Sequence, residues 1–130
     1  MPTKRRAADD DVFLRYAGSA IVVALLADKW TIPVLHALGR GTKRTGELRR
    51  ELVGVSQKML TQTLRTLEAH GLVSRTVHPV VPPHVDYALT EMGVSINQPL
   101  TVLCEWVERN GLALERGLAR QRRRARRAQG

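Results

Sequence analysis

Apolar residues recur at helical spacing through most of this chain and alternate only near its middle. Between residues 12 and 26 the apolar positions Val12, Phe13, Tyr16, Ile21, Val22, Val23, Leu25 and Leu26 go nearly all the way round a helical wheel. With Asp11 as its cap, this segment predicts one helix running through Leu26. So apolar a helix needs cover on more than one side, and a partner subunit is the expected cover. "DKWTIPVLHALGRGT" predicts a second helix with Trp30, Ile32, Val34, Leu35 and Leu38 facing a core, Pro33 tolerated in its first turn, and Gly39 to Gly41 ending it. Thr45 then sits where an N-cap would, before "GELRREL". Leu48, Leu52 and Val53 continue the helical spacing until Gly54 breaks it.

The next stretch, "VSQKMLTQTLRTLEAHGLVSR", is the most cleanly divided in the chain. Ser56 is placed as an N-cap and Gly71 as a C-cap. At about 100° per residue, Gln57, Lys58, Thr61, Gln62 and Arg65 share one arc of about 140°. Met59, Leu60, Thr63, Leu64 and Leu67 occupy the opposite arc. "LVSRTVH" and "VDYALT" then alternate and are rich in β-branched residues, flanking a proline-bearing "PVVPPH", which predicts a two-stranded ribbon with a loop at its tip. Thr90 opens a last helix that Pro99 kinks or restarts, with Val102, Leu103, Trp106 and Val107 as its apolar stripe and a break expected at Asn110-Gly111. "RQRRRARRAQG" carries no apolar stripe and is expected to fray or stay disordered.

Composition fits one small, mainly α domain. At 130 residues and 43% hydrophobic content there is enough for a single core, and with only 4% aromatics that core rests on Leu, Val, Ile and Ala. The expected organisation is a basic and acidic N-terminal arm over 1–10, a single domain over 11–115, and an Arg-rich tail over 116–130. The net charge of +9 is unevenly spread: seven arginines and no acid follow from Arg116 onward, while Arg40 to Arg75 holds eight bases against Glu47, Glu51 and Glu68. Cys104 is the single cysteine, so no intrachain disulfide or cysteine-based metal cluster can form. "AGSAIVVALLA" is too short for a membrane span, and Asp9 to Asp11 separate it from the basic residues that would make a signal peptide, so a cytoplasmic location with no membrane association is expected.

Helix, break, helix and ribbon is the order of a winged helix-turn-helix, whose second helix enters the DNA major groove while the ribbon reaches the flanking backbone. On that reading the polar arc acquires chemistry. Gln57 and Gln62 can pair with adenine edges, Arg65 and Lys58 can reach guanine or phosphate, and Ser56 and Thr61 can bond phosphate or a base edge. Arg44, Thr45, Arg49, Arg50, Arg75, His78 and His84 are the expected backbone and wing contacts. Taken alone, the same arc reads more often as the solvent face of a core helix; the short helix before it, the ribbon after it and the local charge together favour DNA.

The motifs "DKWTIPVLHAL", "GELRREL", "VSQKMLTQTLRTLEAHGLVSRTVHPVVPPHVDYALTEMG" and "LCEWV" resemble the HxlR-type winged helix proteins, relatives of the MarR group, over roughly residues 26–109. The resemblance implies a homodimeric bacterial transcription regulator with its first and last helices forming the dimer interface. It also implies that the helix from Ser56 is the recognition helix and the loop around Pro82 the wing. Redox-responsive members sense oxidants through a cysteine in or near the first helix, and none precedes Cys104 here, so thiol sensing by that route is not expected; Cys104 reads as a small buried residue.

Trp30 and Trp106 are candidates to line a small-molecule effector pocket, although a tryptophan at the start of a core helix more often packs. His78 and His84 flank the wing tip and suit phosphate contact; with no third ligand evident, no metal site is expected. His36 and His70 have no evident partner in the sequence. The arginine tail is expected to add non-specific attraction to phosphate rather than to occupy the minor groove. A rival reading makes the same basic face a protein-interaction module docking an acidic partner, which would have no need of glutamines in the polar arc. The sequence holds no nucleophile with a base, no carboxylate pair and no Gly-rich phosphate loop, so neither an enzyme nor a cofactor is expected.

Overall fold

A computed structural model describes residues 12–130, so Asp11 and the 1–10 arm lie outside the described residues. Helix α1 (Val12–Arg15) and helix α2 (Gly18–Ala27) replace the single first helix expected. At the join, the N–H groups of Ser19 and Ala20 donate to the carbonyls of Tyr16 and Ala17, three residues back, at 3.1 and 3.2 Å; that tighter turn interrupts the helical ladder beside Gly18. Helix α3 (Thr31–Leu38) follows, bent from α2 by 94°. At the bend the Asp28 carboxylate accepts hydrogen bonds from the Trp30 N–H at 2.8 Å and from the buried Thr63 hydroxyl at 3.2 Å. One carboxylate thereby ties the start of α3 to a helix thirty-five residues on.

A short strand β1 (Lys43–Arg44) leads into helix α4 (Thr45–Glu51). Arg44, not Thr45, is the N-cap residue, and its N–H is satisfied by the Glu47 carboxylate at 3.1 Å. Leu48 and Leu52 are buried as expected, but Val53 is 87% exposed. The chain leaves helical geometry at Leu52, so the spacing stops predicting orientation there, and Val55 takes the core position instead.

Helix α5 (Gln57–Ala69) is capped by Ser56, whose hydroxyl oxygen accepts from the Met59 N–H at 3.1 Å. It ends in a Schellman motif: His70 is the cap residue, Gly71 follows at φ +73°, and the N–H groups of Gly71 and Leu72 donate to the carbonyls of Glu68 and Leu67. The left-handed backbone at Gly71 is where a Cβ would cost about 1–2 kcal/mol.

Strands β2 (Val73–His78) and β3 (His84–Leu89) pair antiparallel, with His78 opposite His84 and Val73 opposite Leu89. The sheet has three strands rather than the two expected: β1 pairs with β3, placing Arg44 opposite Asp86, in the order β1-β3-β2. Two residues are too few to leave a periodic signal.

Helix α6 (Glu91–Gln129) starts at Thr90, whose hydroxyl donates to the Gly71 carbonyl at 2.6 Å while accepting from the Gly93 N–H at 3.1 Å. It passes through Pro99 and through Asn110-Gly111 without ending. The Asn110 amide donates back to the Trp106 carbonyl at 3.0 Å, so the side chain bonds within the helix instead of terminating it. The arginine-rich segment, expected to fray, continues the same helix; at 1.5 Å per residue its 39 residues span about 58 Å.

The core gathers Leu25, Trp30, Val34, Leu35 and Leu38 from α2, α3 and their join, Leu48 from α4, Leu60, Leu64 and Leu67 from α5, and Leu72, Val73 and Leu100. The outer helices contribute little to it. Of α2 only Leu25 is buried, and of α6 only Gly93 and Leu100. Among the described residues no single helix is long and apolar enough to cross a membrane.

Candidate nucleic-acid interface

Seating of α5 on the core decides what it shows to solvent. Leu60, Thr63, Leu64 and Leu67 are buried to within 2%, which fixes the helix about its own axis. Met59, assigned to the apolar arc, sits at its margin and is 40% exposed. The opposite face presents Gln57, Lys58, Gln62 and Arg65 exposed and Thr61 half-buried, in the arc expected from the helical wheel. The Gln57 amide donates to the Thr61 hydroxyl one turn on, at 3.1 Å. Those two side chains must exchange this bond for any contact to a base, whereas Lys58, Gln62 and Arg65 carry no side-chain hydrogen bond or ion pair within the described residues.

The surrounding cations fall into two groups. Glu51 takes Lys43 and Arg40 at 2.8 and 2.7 Å, and hydrogen bonds from Lys43 first and then Arg40 hold its carboxyl below its ordinary value. Asp86 takes His78 Nε2 at 2.7 Å and Arg44 Nε at 3.7 Å. Arg44 and His78 are therefore already engaged with an acid. Arg49 and Arg50 at the end of α4, Lys58 and Arg65 on α5, and Arg75 on β2 are exposed and unpaired within the described residues. The open positive charge thus lies on the helix pair and the first wing strand.

Strand alternation separates the wing residues. Arg75 is on the face of β2 shared with Val73 and Val77, while His78 belongs to the other face with His84, Asp86 and Arg44. The His78 and His84 rings stack, with centroids 4.5 Å apart. Asp86, not singled out from the sequence, joins the two histidines, with the donor atoms of the three side chains all within 4.8 Å of one another. Its position two residues after His84 on one strand is the signal that places it there. Thr45, an expected backbone contact, is the half-buried first residue of α4.

The two tryptophans do not meet in one cavity. Trp30 is 8% exposed and part of the core, beneath the Lys29 ammonium at 5.3 Å, whereas Trp106 is 45% exposed on α6. A groove between α3 and α6, lined by Ile32, Pro33, His36, Leu103, Cys104 and Val107, includes neither ring. Cys104 is half-exposed there rather than buried. A second groove of ≈ 510 Å³ between α2 and α6 is lined by Ile21, Val22, Leu25, Leu72, Met92 and Ile96.

Comparison with known proteins agrees with this arrangement. The family model for HxlR-like helix-turn-helix proteins matches residues 25–114. The HTH-type transcriptional regulator YtfH of Escherichia coli K12 is 39% identical over 102 residues, covering 78% of this chain and 81% of that protein. YkvN of Bacillus subtilis 168, another HTH-type transcriptional regulator, is 47% identical over 89 residues, covering 68% of this chain and 75% of its own. Among solved structures, ytfH from Salmonella typhimurium aligns with a TM-score of 0.70 at 39% identity over 85% of this chain and 96% of that one. The reduced form of the redox regulator HypR aligns with a TM-score of 0.70 at 36% identity, over 76% of this chain and 98% of its own.

Proposed function

The chain belongs to the HxlR-like helix-turn-helix family of transcription regulators, and from that premise we propose that it binds a near-palindromic operator as a homodimer, with the polar face of α5 in the major groove. The observation that carries this reading is the face itself. Gln57, Lys58, Thr61, Gln62 and Arg65 stand on a helix whose other side is locked into the core, with no carboxylate until Glu68. Gln62 and Arg65 read base edges, Gln57 and Thr61 join them once their mutual bond is exchanged, and Ser56 and Lys58 hold the backbone. Arg49, Arg50, Thr45 and Arg75 approach the flanking phosphates, with Arg44, His78 and His84 behind them on the wing.

Dimerisation through α1, α2 and α6 accounts for the surface those helices leave open. Phe13, Leu14, Tyr16, Ile21 and Val23 on the first two and their join, and Val102, Trp106, Val107, Leu112 and Leu114 on the last, are each between 45% and 68% exposed in one protomer. An apolar surface of that extent in water is the mark of an interface. The groove between α2 and α6 is continuous with it and is the better place for a small-molecule effector than the Trp30–Trp106 pair. The arginines of α6 add attraction to phosphate that is blind to sequence.

Selection of bound fragments from sheared genomic DNA tests the reading. A recovered motif with inverted half-sites about one helical turn, 34 Å, apart supports it. Recovery of fragments with no shared motif contradicts it.

A further inference from the structure

The polar face of the wing holds a group of side chains, set behind the cations proposed to approach the phosphates, that includes a carboxylate for which DNA has no use. On β3, His84 and Asp86 are two residues apart and point to the same side of the sheet. His78 is directly opposite His84 and diagonal to Asp86, while Arg44 of β1 is directly opposite Asp86. Period two in three strands therefore converges two imidazoles and one carboxylate, with a single guanidinium at the margin. His78 Nε2 lies 2.7 Å from Asp86 Oδ2, the two rings stack at 4.5 Å, and all three ligand atoms fall within 4.8 Å of one another.

We propose that His78, His84 and Asp86 form a binding site for one divalent transition-metal ion of the zinc class at the tip end of the wing strands. Two imidazole nitrogens and one carboxylate oxygen suit Zn²⁺ at about 2.0–2.2 Å, with water completing a tetrahedron. Ligands on such a tetrahedron are about 3.3–3.4 Å apart. The His78–Asp86 pair has to open by about half an ångström and the widest pair to close by up to about 1.5 Å, movements that χ rotation of half-buried side chains supplies without moving the strands. The carboxylate already orients the His78 imidazole. Metal ligation would replace that hydrogen bond and draw Asp86 away from Arg44, 3.7 Å off, leaving the guanidinium open. It would also clamp β2 to β3 at the last pair before the tip loop.

The test uses the full chain after chelator treatment, titrated with ZnCl₂ alone in a calorimeter without DNA, so that its outcome is independent of any operator. One zinc per chain is expected, with affinity lowered at least about tenfold in His84→Ala and in Asp86→Asn, since loss of a ligand or its partner costs that much or more. His36 and Cys104, which line the groove between α3 and α6, are the competing donor pair. A chain with His36→Ala and Cys104→Ser is expected to bind as the wild type does. In unsubstituted protein, adding Co²⁺ should selectively broaden the imidazole NMR signals of His78 and His84, a readout that no folding defect of a variant can mimic. Zinc binding retained in both wing variants, or broadening confined to His36 and His70, would overturn the site.

Discussion

Replacing Gly93 by alanine sets two effects of opposite sign against each other. Within a helix, alanine is favoured over glycine by about 0.8–1 kcal/mol. At Gly93, however, a Cβ would fall inside contact distance of the Leu72 carbonyl oxygen, 3.0 Å from the carbonyl carbon and 3.3 Å from Leu89 Cδ2. An ordinary C···O approach is about 3.3 Å or more, and the obstructing atoms are backbone, so α6 has to move off the residues that follow α5. That carbonyl accepts the Thr90 N–H at 3.1 Å, and Thr90 in turn caps α6 and bonds the Gly71 carbonyl. Overpacking of about 1–3 kcal/mol and one or two loosened hydrogen bonds at about 1 kcal/mol each, less the propensity gain, leave a net loss of about 1–4 kcal/mol. With an m-value of roughly 1–3 kcal/mol/M, the urea midpoint followed by circular dichroism should fall by about 1 M. Gly117→Ala in the same helix is the control, because nothing lies within 4 Å of its Cβ. At equal protein concentration its midpoint should stay level or rise. Equal midpoints for the two variants would refute the close approach of α6 to Leu72.

Two further substitutions address α5 and the helix before it. Ser56→Ala removes the acceptor that caps the Met59 N–H and should cost about 0.5–2 kcal/mol in urea unfolding, without altering which bases are preferred in a binding titration. Glu51→Gln tests the carboxyl held low by Lys43 and Arg40. Because its folded-state pKa is depressed, its stabilising effect is present at neutral pH and fades as pH falls through the lowered value. The variant should therefore melt below the wild type at about pH 7, by a gap that narrows as the solution is acidified through the carboxylate range, a small effect for so exposed a carboxyl; a constant gap across that range would contradict the assignment.

How legible these features were depended on how many residues carried each one. The buried face of α5 and the Ser56 cap were readable because thirteen residues repeat one pattern with clear signals at both ends. β1 was not, since Lys43 and Arg44 are held as a strand by β3, more than forty positions away in sequence. Val53 followed the helical spacing but fell after the helix had ended at Glu51, where periodicity no longer reports direction. The long run of α6 through Asn110-Gly111 was obscured because Asn and Gly usually mark an end, and only the Asn110 bond to Trp106 shows that here they do not. In the candidate site, composition counted cations without their partners. Pairing of Arg40 and Lys43 with Glu51, and of Arg44 and His78 with Asp86, is a property of the fold, and it narrows the open charge to Arg49, Arg50, Lys58, Arg65 and Arg75. Asp86 shows the converse, a neighbour of the two histidines visible two residues from His84 once strand alternation is applied to polar as well as apolar positions.

The central claim is that the exposed face of α5 discriminates between DNA sequences. Its most direct test is a fluorescence-anisotropy titration of wild type, Gln62→Ala and Arg65→Ala against a selected operator duplex and a scrambled duplex of equal length, at several salt concentrations. A base-reading side chain is worth about 1–3 kcal/mol of discrimination, so each variant should lose roughly five- to hundredfold of the operator preference while scrambled-duplex binding changes far less. Full operator preference retained in both variants, or an equal loss on both duplexes, would contradict the account.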